Sequence, residues 1–184
     1  MAYVSKDESS VGINYFEYNV EKKADATTKL QRFGIVLLDI FLVIILFATV
    51  NGMFLLIAFC GFALVFSILT FFLYKRTQIE FEYELSGGEF TMSKVYGGRS
   101  RKELFSQKLS AFHSFAPYTE ENFKSAKGNE ELKKYVCISS PDAIDQFFGI
   151  FTDEDGKKSV VIFQAPKKAV SIIRFYNSSA TKLS

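Results

Sequence analysis

Two apolar runs separated by only three residues constrain this chain more than any other feature. Residues 33–49 (FGIVLLDIFLVIILFAT) carry one charge, Asp39, and residues 53–74 (MFLLIAFCGFALVFSILTFFLY) carry none. A helix crosses the hydrocarbon core of a bilayer with about 17 to 25 residues, so either run is long enough. The link between them, Val50, Asn51 and Gly52, is short, uncharged and rich in turn chemistry, which predicts an antiparallel pair of helices. Residues 33–76 are therefore expected to form a two-helix transmembrane hairpin. Lys22, Lys23, Lys29 and Arg32 precede the first run, Lys75 and Arg76 follow the second, and the link has no cation. The positive-inside rule then puts both termini in the cytoplasm of a cell membrane crossed twice, with Tyr74 as an interfacial anchor. Residues 1–32 read as a polar, partly disordered cytoplasmic tail without the short apolar core and cleavage site of a signal peptide.

Asp39 supports two readings. An ionisable group in a span costs about 2.5 to 3.5 kcal/mol at the bilayer centre, so it marks a candidate proton or ion relay. Alternatively it lies close enough to the cytoplasmic end to reach headgroups beside Arg32, or it bonds Ser67 or Thr70 across the hairpin, because the start of one helix faces the end of the other.

Period two replaces the apolar runs from Ile79 onward. Ile79, Phe81, Tyr83 and Leu85 alternate with Glu80, Glu82 and Glu84, which is a strand with one dry and one wet face. Gly87-Gly88 supplies the positive φ of a two-residue hairpin, residues 89–96 return, and Gly97-Gly98 repeats the device. Residues 102–107 and 109–116 read as two strands meeting in a corner near Lys108, residues 119–133 as a loop or short exposed helix, and residues 134–139 as a fifth strand. Residues 146–152 and 158–164 flank an acidic turn, Asp153-Glu154-Asp155-Gly156. A helix over 166–177 closes the chain, with Pro166 at its first position and Ala169, Ile172, Ile173 and Tyr176 forming one apolar stripe. Strands in hairpins followed by one amphipathic helix make an α+β membrane protein: a helical hairpin, then a seven-stranded PH-like β-barrel or sandwich over 77–184 whose C-terminal helix covers the rolled sheet.

The chain also resembles a family of small two-pass bacterial membrane proteins with a PH-like cytosolic domain. The resemblance runs through EYELSGGEFTMSKVYGGRSRKELFS (residues 82–106), SSPDA (139–143) and FFGIFTDEDGKKSVVIF (147–163), and rests on strand and turn pattern rather than on catalytic motifs. It implies that lipid-binding relatives carry basic residues on the first hairpin of the barrel. Here that turn reads Ser86-Gly87-Gly88, which speaks against specific phosphoinositide recognition.

Composition excludes several classes. A net charge of +2 leaves no electrostatic footprint for nucleic acid. Cys60 sits in the second apolar run and Cys137 in a strand, so no disulfide and a reducing compartment are expected. With one histidine and two separated cysteines there is no metal-ligand spacing, and no cofactor motif appears. His113 has Ser110 and Ser114 nearby but no placed acid, so no catalytic residue is assigned and the chain is read as a non-enzyme. Asp153-Glu154-Asp155-Gly156 lacks calcium-loop spacing, since Gln164 stands where the terminal glutamate belongs.

The binding candidates are Lys94, Arg99, Arg101 and Lys102. A two-residue turn at Gly97-Gly98 would set Lys94 opposite Arg101, a like-charge pair that an anion between them would stabilise, unless Glu82 and Glu103 neutralise it or both side chains splay into water. Ile13, Tyr15, Phe16 and Tyr18 could lie on the membrane or add to the sheet. The expected function is a membrane-anchored, non-enzymatic interaction or scaffolding module at the inner leaflet, with the lipid bilayer and a protein partner or a second copy as its contacts. Peptides would join by strand addition at an open sheet edge. The alternative is a subunit of a transporter or channel-like assembly using Asp39.

Overall fold

The computed structural model describes residues 15–48, 52–128, 132–153 and 156–182. Thr49, the link residues Val50 and Asn51, the tail through Asn14, and Glu154 and Asp155 of the acidic turn lie outside them. Two compact units are present. One comprises residues 23–79 with the turn Tyr96–Arg99, and the other comprises the remaining strands and helices.

The first element is a strand, β1 (Tyr15–Glu21), where the sequence analysis put the polar tail. Its residues alternate: Phe16, Tyr18 and Val20 share one face, while Glu17, Asn19 and Glu21 share the other. After two long helices, α1 (Ala26–Ala48) and α2 (Met53–Arg76), comes β2 (Ile79–Ser86), and β1 pairs with it antiparallel from Tyr15↔Ser86 to Glu21↔Glu80. The helical hairpin is thus an insertion between two hydrogen-bonded neighbours, not a segment ahead of a self-contained strand domain. The boundaries at 32 and 77 are corrected accordingly: the strand unit takes β1 from the tail.

In the helical unit, Lys29 N–H donates to the Asp25 carbonyl at 2.9 Å, which opens α1 at Ala26 rather than at Phe33. Apolar composition marks the depth a helix can occupy in lipid, not where its backbone bonds begin. α2 runs on through Lys75 and Arg76, cations that suit the negative end of the helix dipole. None of the described residues of α1 is buried, and Phe33 and Ile57 are about two-thirds exposed, at 65% and 67%. Both helices are long and apolar enough to cross a membrane.

The other strands are β3 (Glu89–Tyr96), β4 (Ser100–Lys108), β5 (Phe112–Pro117), β6 (Lys133–Cys137), β7 (Gln146–Thr152) and β8 (Lys158–Gln164), with helices α3 (Glu120–Lys127) and α4 (Lys167–Tyr176). The seven strands expected after residue 77 are present, and β1 from the tail makes eight among the described residues, in two four-stranded sheets with the orders β1-β2-β3-β4 and β5-β7-β8-β6. They make a sandwich rather than a closed barrel, and only part of it is built from hairpins: β6 pairs with β8 in parallel, from Lys133↔Ser159 to Cys137↔Phe163. Gly87 and Gly88 both have positive φ, 56° and 85°, as the primed two-residue turn between β2 and β3 requires. A single 3₁₀ turn, Leu109–Ala111, makes the corner between β4 and β5.

An aromatic core fills the space between the sheets. Phe90 and Phe105 of the first sheet lie 5.6 Å apart, Phe90 meets Phe163 at 5.1 Å, and Phe105 meets Phe151 at 4.8 Å. The second sheet is covered on its other face as well, where Phe123 of α3 packs on Phe148 at 5.6 Å. Thr119 caps α3 by accepting from the Asn122 N–H at 3.1 Å. The segment expected as a loop or exposed helix is therefore a capped helix with one buried side. α4 buries Ala169, Ile172 and Ile173 and begins one residue later than expected, with Pro166 as its N-cap.

Candidate functional site

The last two turns of α2 carry Phe71, Phe72, Tyr74 and Lys75, which helical steps of about 100° distribute over much of the circumference. A cation stands over each ring. The Arg32 guanidinium lies 5.2 Å from the centre of Tyr74, the Lys75 ammonium 5.1 Å from Phe71, and the Arg99 guanidinium 5.0 Å from Phe72. These distances are within the cation–π range. Arg32 Nε also donates to Thr77 Oγ1 at 2.8 Å. These three cation–ring pairs form a collar at the end of α2, and Arg99 reaches it because the turn Tyr96–Arg99 seats there, where Gly97 N–H donates to the Gln78 carbonyl at 2.8 Å. Gly97 has φ +59°, and a Cβ there would stand 2.7 Å from the Lys75 carbonyl oxygen, so both the conformation and the close approach need glycine. Inside the helical pair, Thr70 Oγ1 donates to Asp39 Oδ1 at 3.0 Å.

The four basic residues singled out from the sequence have different partners. Arg99 belongs to the collar. Arg101 forms an ion pair with Glu82, and Lys102 is exposed on β4. Lys94 shares alternation parity with buried Phe90 and Met92, and its charge reaches the Cys137 thiol. Around Arg101 the wet face of the first sheet gathers carboxylates. Burial, and then a hydrogen bond shared with Glu17, push the Glu82 carboxyl up against the pull of Arg101. The Tyr15 hydroxyl, which donates to Glu17 Oε2 at 2.8 Å, holds Glu17 down. Gly87-Gly88 joins the second and third strands of the fold. The first connection, between β1 and β2, is the one the helices occupy.

A cleft of about 270 Å³ opens on the second sheet. His113 and Ser114 of β5, Lys127 of α3, Lys158 of β8, and Ser179 and Lys182 of the C-terminal segment line it, over an apolar floor that includes Leu132, Ile150 and Ala180. No described lining residue is acidic. His113 Nε2 is 2.9 Å from Thr152 Oγ1, which orients the ring. The C-terminal segment is held by backbone bonds along β5: Phe115 N–H donates to the Ala180 carbonyl at 2.8 Å, and Lys182 N–H to the Phe115 carbonyl at 2.7 Å. Asn177 secures its base by donating to the Leu109 and Phe112 carbonyls at 2.7 and 2.9 Å. Of these groups the sequence drew attention only to His113 and Ser114. Lys127, Lys158 and Lys182 come from three elements and share no local pattern.

Cys137 is buried, and burial pushes its thiol up to about 12, far from a reactive thiolate.

A family model described as bacterial PH-like domain (DUF6106) matches residues 14–182, from β1 through the C-terminal segment, and the chain belongs to that family. No curated protein and no solved structure matches it.

Proposed function

We propose that this member of the bacterial PH-like domain family is a membrane-anchored, non-enzymatic interaction module at the cytoplasmic leaflet, with the two helices as its anchor. One observation carries this: the apolar hairpin is inserted between β1 and β2, so both of its ends return to the same strand pair. Each end bears cations, Lys22, Lys23, Lys29 and Arg32 on one side and Lys75 and Arg76 on the other. Basic residues beside a span favour the cytoplasmic side and attract anionic headgroups, each worth about 1 kcal/mol near the surface. Arg32, Lys75 and Arg99 over their aromatic rings suit the same interface. Asp39 enters as a packing contact to Thr70 rather than as a relay.

A partner protein joins by strand addition. The free side of β5 is taken by residues 180–182, which leaves β6 as the end strand of the second sheet without a further neighbour among the described strands. Lys133 and Lys134 favour an acidic extended segment there, and Val136 is 53% exposed.

The test uses bacterial membranes containing the full-length chain. Alkaline carbonate should leave it in the pellet, and protease added to right-side-out spheroplasts should leave the strand unit whole. A photo-crosslinker at Val136 should give a discrete protein adduct that the same group at Glu84 does not. Extraction by carbonate or trimming from outside would end the anchoring proposal. An intact, membrane-bound protein giving identical labelling at both positions would end the edge proposal alone.

A further inference from the structure

We infer that the side of α2 turned away from α1, where its last turns meet the turn Tyr96–Arg99, holds one anionic phospholipid of the phosphatidylglycerol kind, a phosphodiester whose headgroup carries no cation. The inference rests on the anchoring proposed above and names the lipid that the anchor selects. Leu64, Ile68, Phe71 and Phe72 stand at i, i+4, i+7 and i+8, so they share one side of the helix, and all four are exposed. The other side is taken by α1: Thr70 bonds Asp39, and Tyr74 stands under Arg32. The four side chains therefore form an apolar lane open to an acyl chain.

At its end the lane meets Lys75 and Arg99, which stand over the neighbouring rings of Phe71 and Phe72, themselves 5.9 Å apart. The backbone brings these two cations together: Gly97 N–H bonds the Gln78 carbonyl, and Gly97 lies so close to the Lys75 carbonyl that a side chain does not fit there. Among the described residues neither cation forms an ion pair with a carboxylate, and each has a ring as its neighbour. An apolar lane that runs into an ammonium and a guanidinium matches a phospholipid read from acyl chain to phosphate. Arg99 offers forked donors that fit two phosphate oxygens, and Lys75 adds a point charge beside it. A zwitterionic headgroup would bring its own cation toward both, and like charges repel. Every residue of this site belongs to the helical unit.

The chain has no tryptophan, so Ile68→Trp places a single fluorescent reporter in the lane, and Ile40→Trp, exposed on α1, places one outside it. Each full-length variant goes into phosphatidylcholine vesicles that contain a minor share of either phosphatidylglycerol or phosphatidylcholine with brominated chains, and quenching gives the relative affinity for the two lipids. Ile68→Trp should favour phosphatidylglycerol about fivefold or more, the scale of one or two cations at a lipid surface, and Ile40→Trp less than about twofold. Adding Lys75→Gln with Arg99→Gln should bring the preference in the lane to within about twofold of none, and Arg99→Gln alone, on an exposed turn, should lower it about twofold or more. Lys29→Gln, exposed near the start of α1, should leave it unchanged. Equal quenching by both lipids in Ile68→Trp, the same preference in Ile40→Trp, or full preference without Lys75 and Arg99 would overturn the inference. Loss of the preference to inorganic phosphate at constant ionic strength would overturn it too, by making the ligand a free ion. Vesicles that float without the protein would end the anchoring proposal and this one with it, whereas protein that floats yet shows no preference ends this one alone.

Discussion

The two sheets are built of strands of similar length, yet they use their faces differently. In β2, Phe81, Tyr83 and Leu85 are buried and the glutamates between them are only half-buried, whereas in β8 every residue from Ser159 to Phe163 is buried. The first sheet packs one face on the aromatic core and leaves its carboxylates on the other. The second lies between that core and Phe123 of α3. A strand with a wet face can carry charge for recognition, while a strand dry on both faces gives positional stability to whatever is built on its rim. The cleft sits on such a support.

The largest test of this contrast is Phe148, fully buried on the α3 side of β7. Phe148→Ala should cost about 3 to 5 kcal/mol in thermal unfolding of the full-length protein, while Glu84→Ala on the wet face of β2 should stay within about 0.5 kcal/mol. Similar small losses at both sites would mean that α3 does not close the second face. Next comes Asn177, whose amide serves the Leu109 and Phe112 carbonyls and accepts from the Ala180 N–H at 3.2 Å. Asn177→Ala leaves buried carbonyls unpaired at the corner, at about 2 to 4 kcal/mol. It should also speed hydrogen exchange at Phe115 and Lys182 ahead of β8, because the segment covering the edge of β5 loses its base. Gly149 follows: a Cβ would stand 2.6 Å from the Phe115 ring, so Gly149→Ala should cost about 1 to 3 kcal/mol by overpacking. A neutral result would show that the rings of Phe112 and Phe115 yield freely.

What could be read from the sequence follows from how local each signal is. β3 and the pair β7 and β8 have the expected bounds, because turn glycines and adjacent partners mark them. β1 remained one of two options, since its partner β2 lies beyond the whole helical insertion and no turn chemistry links them. The parallel pairing of β6 with β8 carries no hairpin signature, and α3 looked exposed because one residue, Phe123, supplies its buried side. The site was less legible than the fold. Clustered lysines and arginines at 94–102 drew attention by adjacency, but they have different partners. The collar unites Arg32, Lys75 and Arg99, and the cleft unites Lys127, Lys158 and Lys182, sets that only the folded chain brings together.

The smallest effect tests the wet face itself. Tyr15 donates to Glu17, and that bond chiefly raises the phenol from 10.0 to about 12, while it holds the Glu17 carboxyl below its ordinary 4.5. An acid whose folded value is raised contributes stability below its unfolded value and loses it as pH rises through the folded one. The Tyr15 contribution should therefore be whole below about 10 and gone by about 12. Glu17, shifted the other way, contributes above about 4.5 and loses its share as pH falls. Tyr15→Phe should remove the alkaline part of this dependence, lowering Tm near neutral pH by the same amount by which it shrinks the fall across that window, both small because the pair is solvent-accessible and screened. An alkaline fall of unchanged size in Tyr15→Phe would assign it to other tyrosines, with Tyr83 the first to examine: it is buried, bonded to the Cys137 carbonyl and raised well above its usual range by burial. In that case the pH response would belong to the contact between the sheets and not to the exposed face of the first.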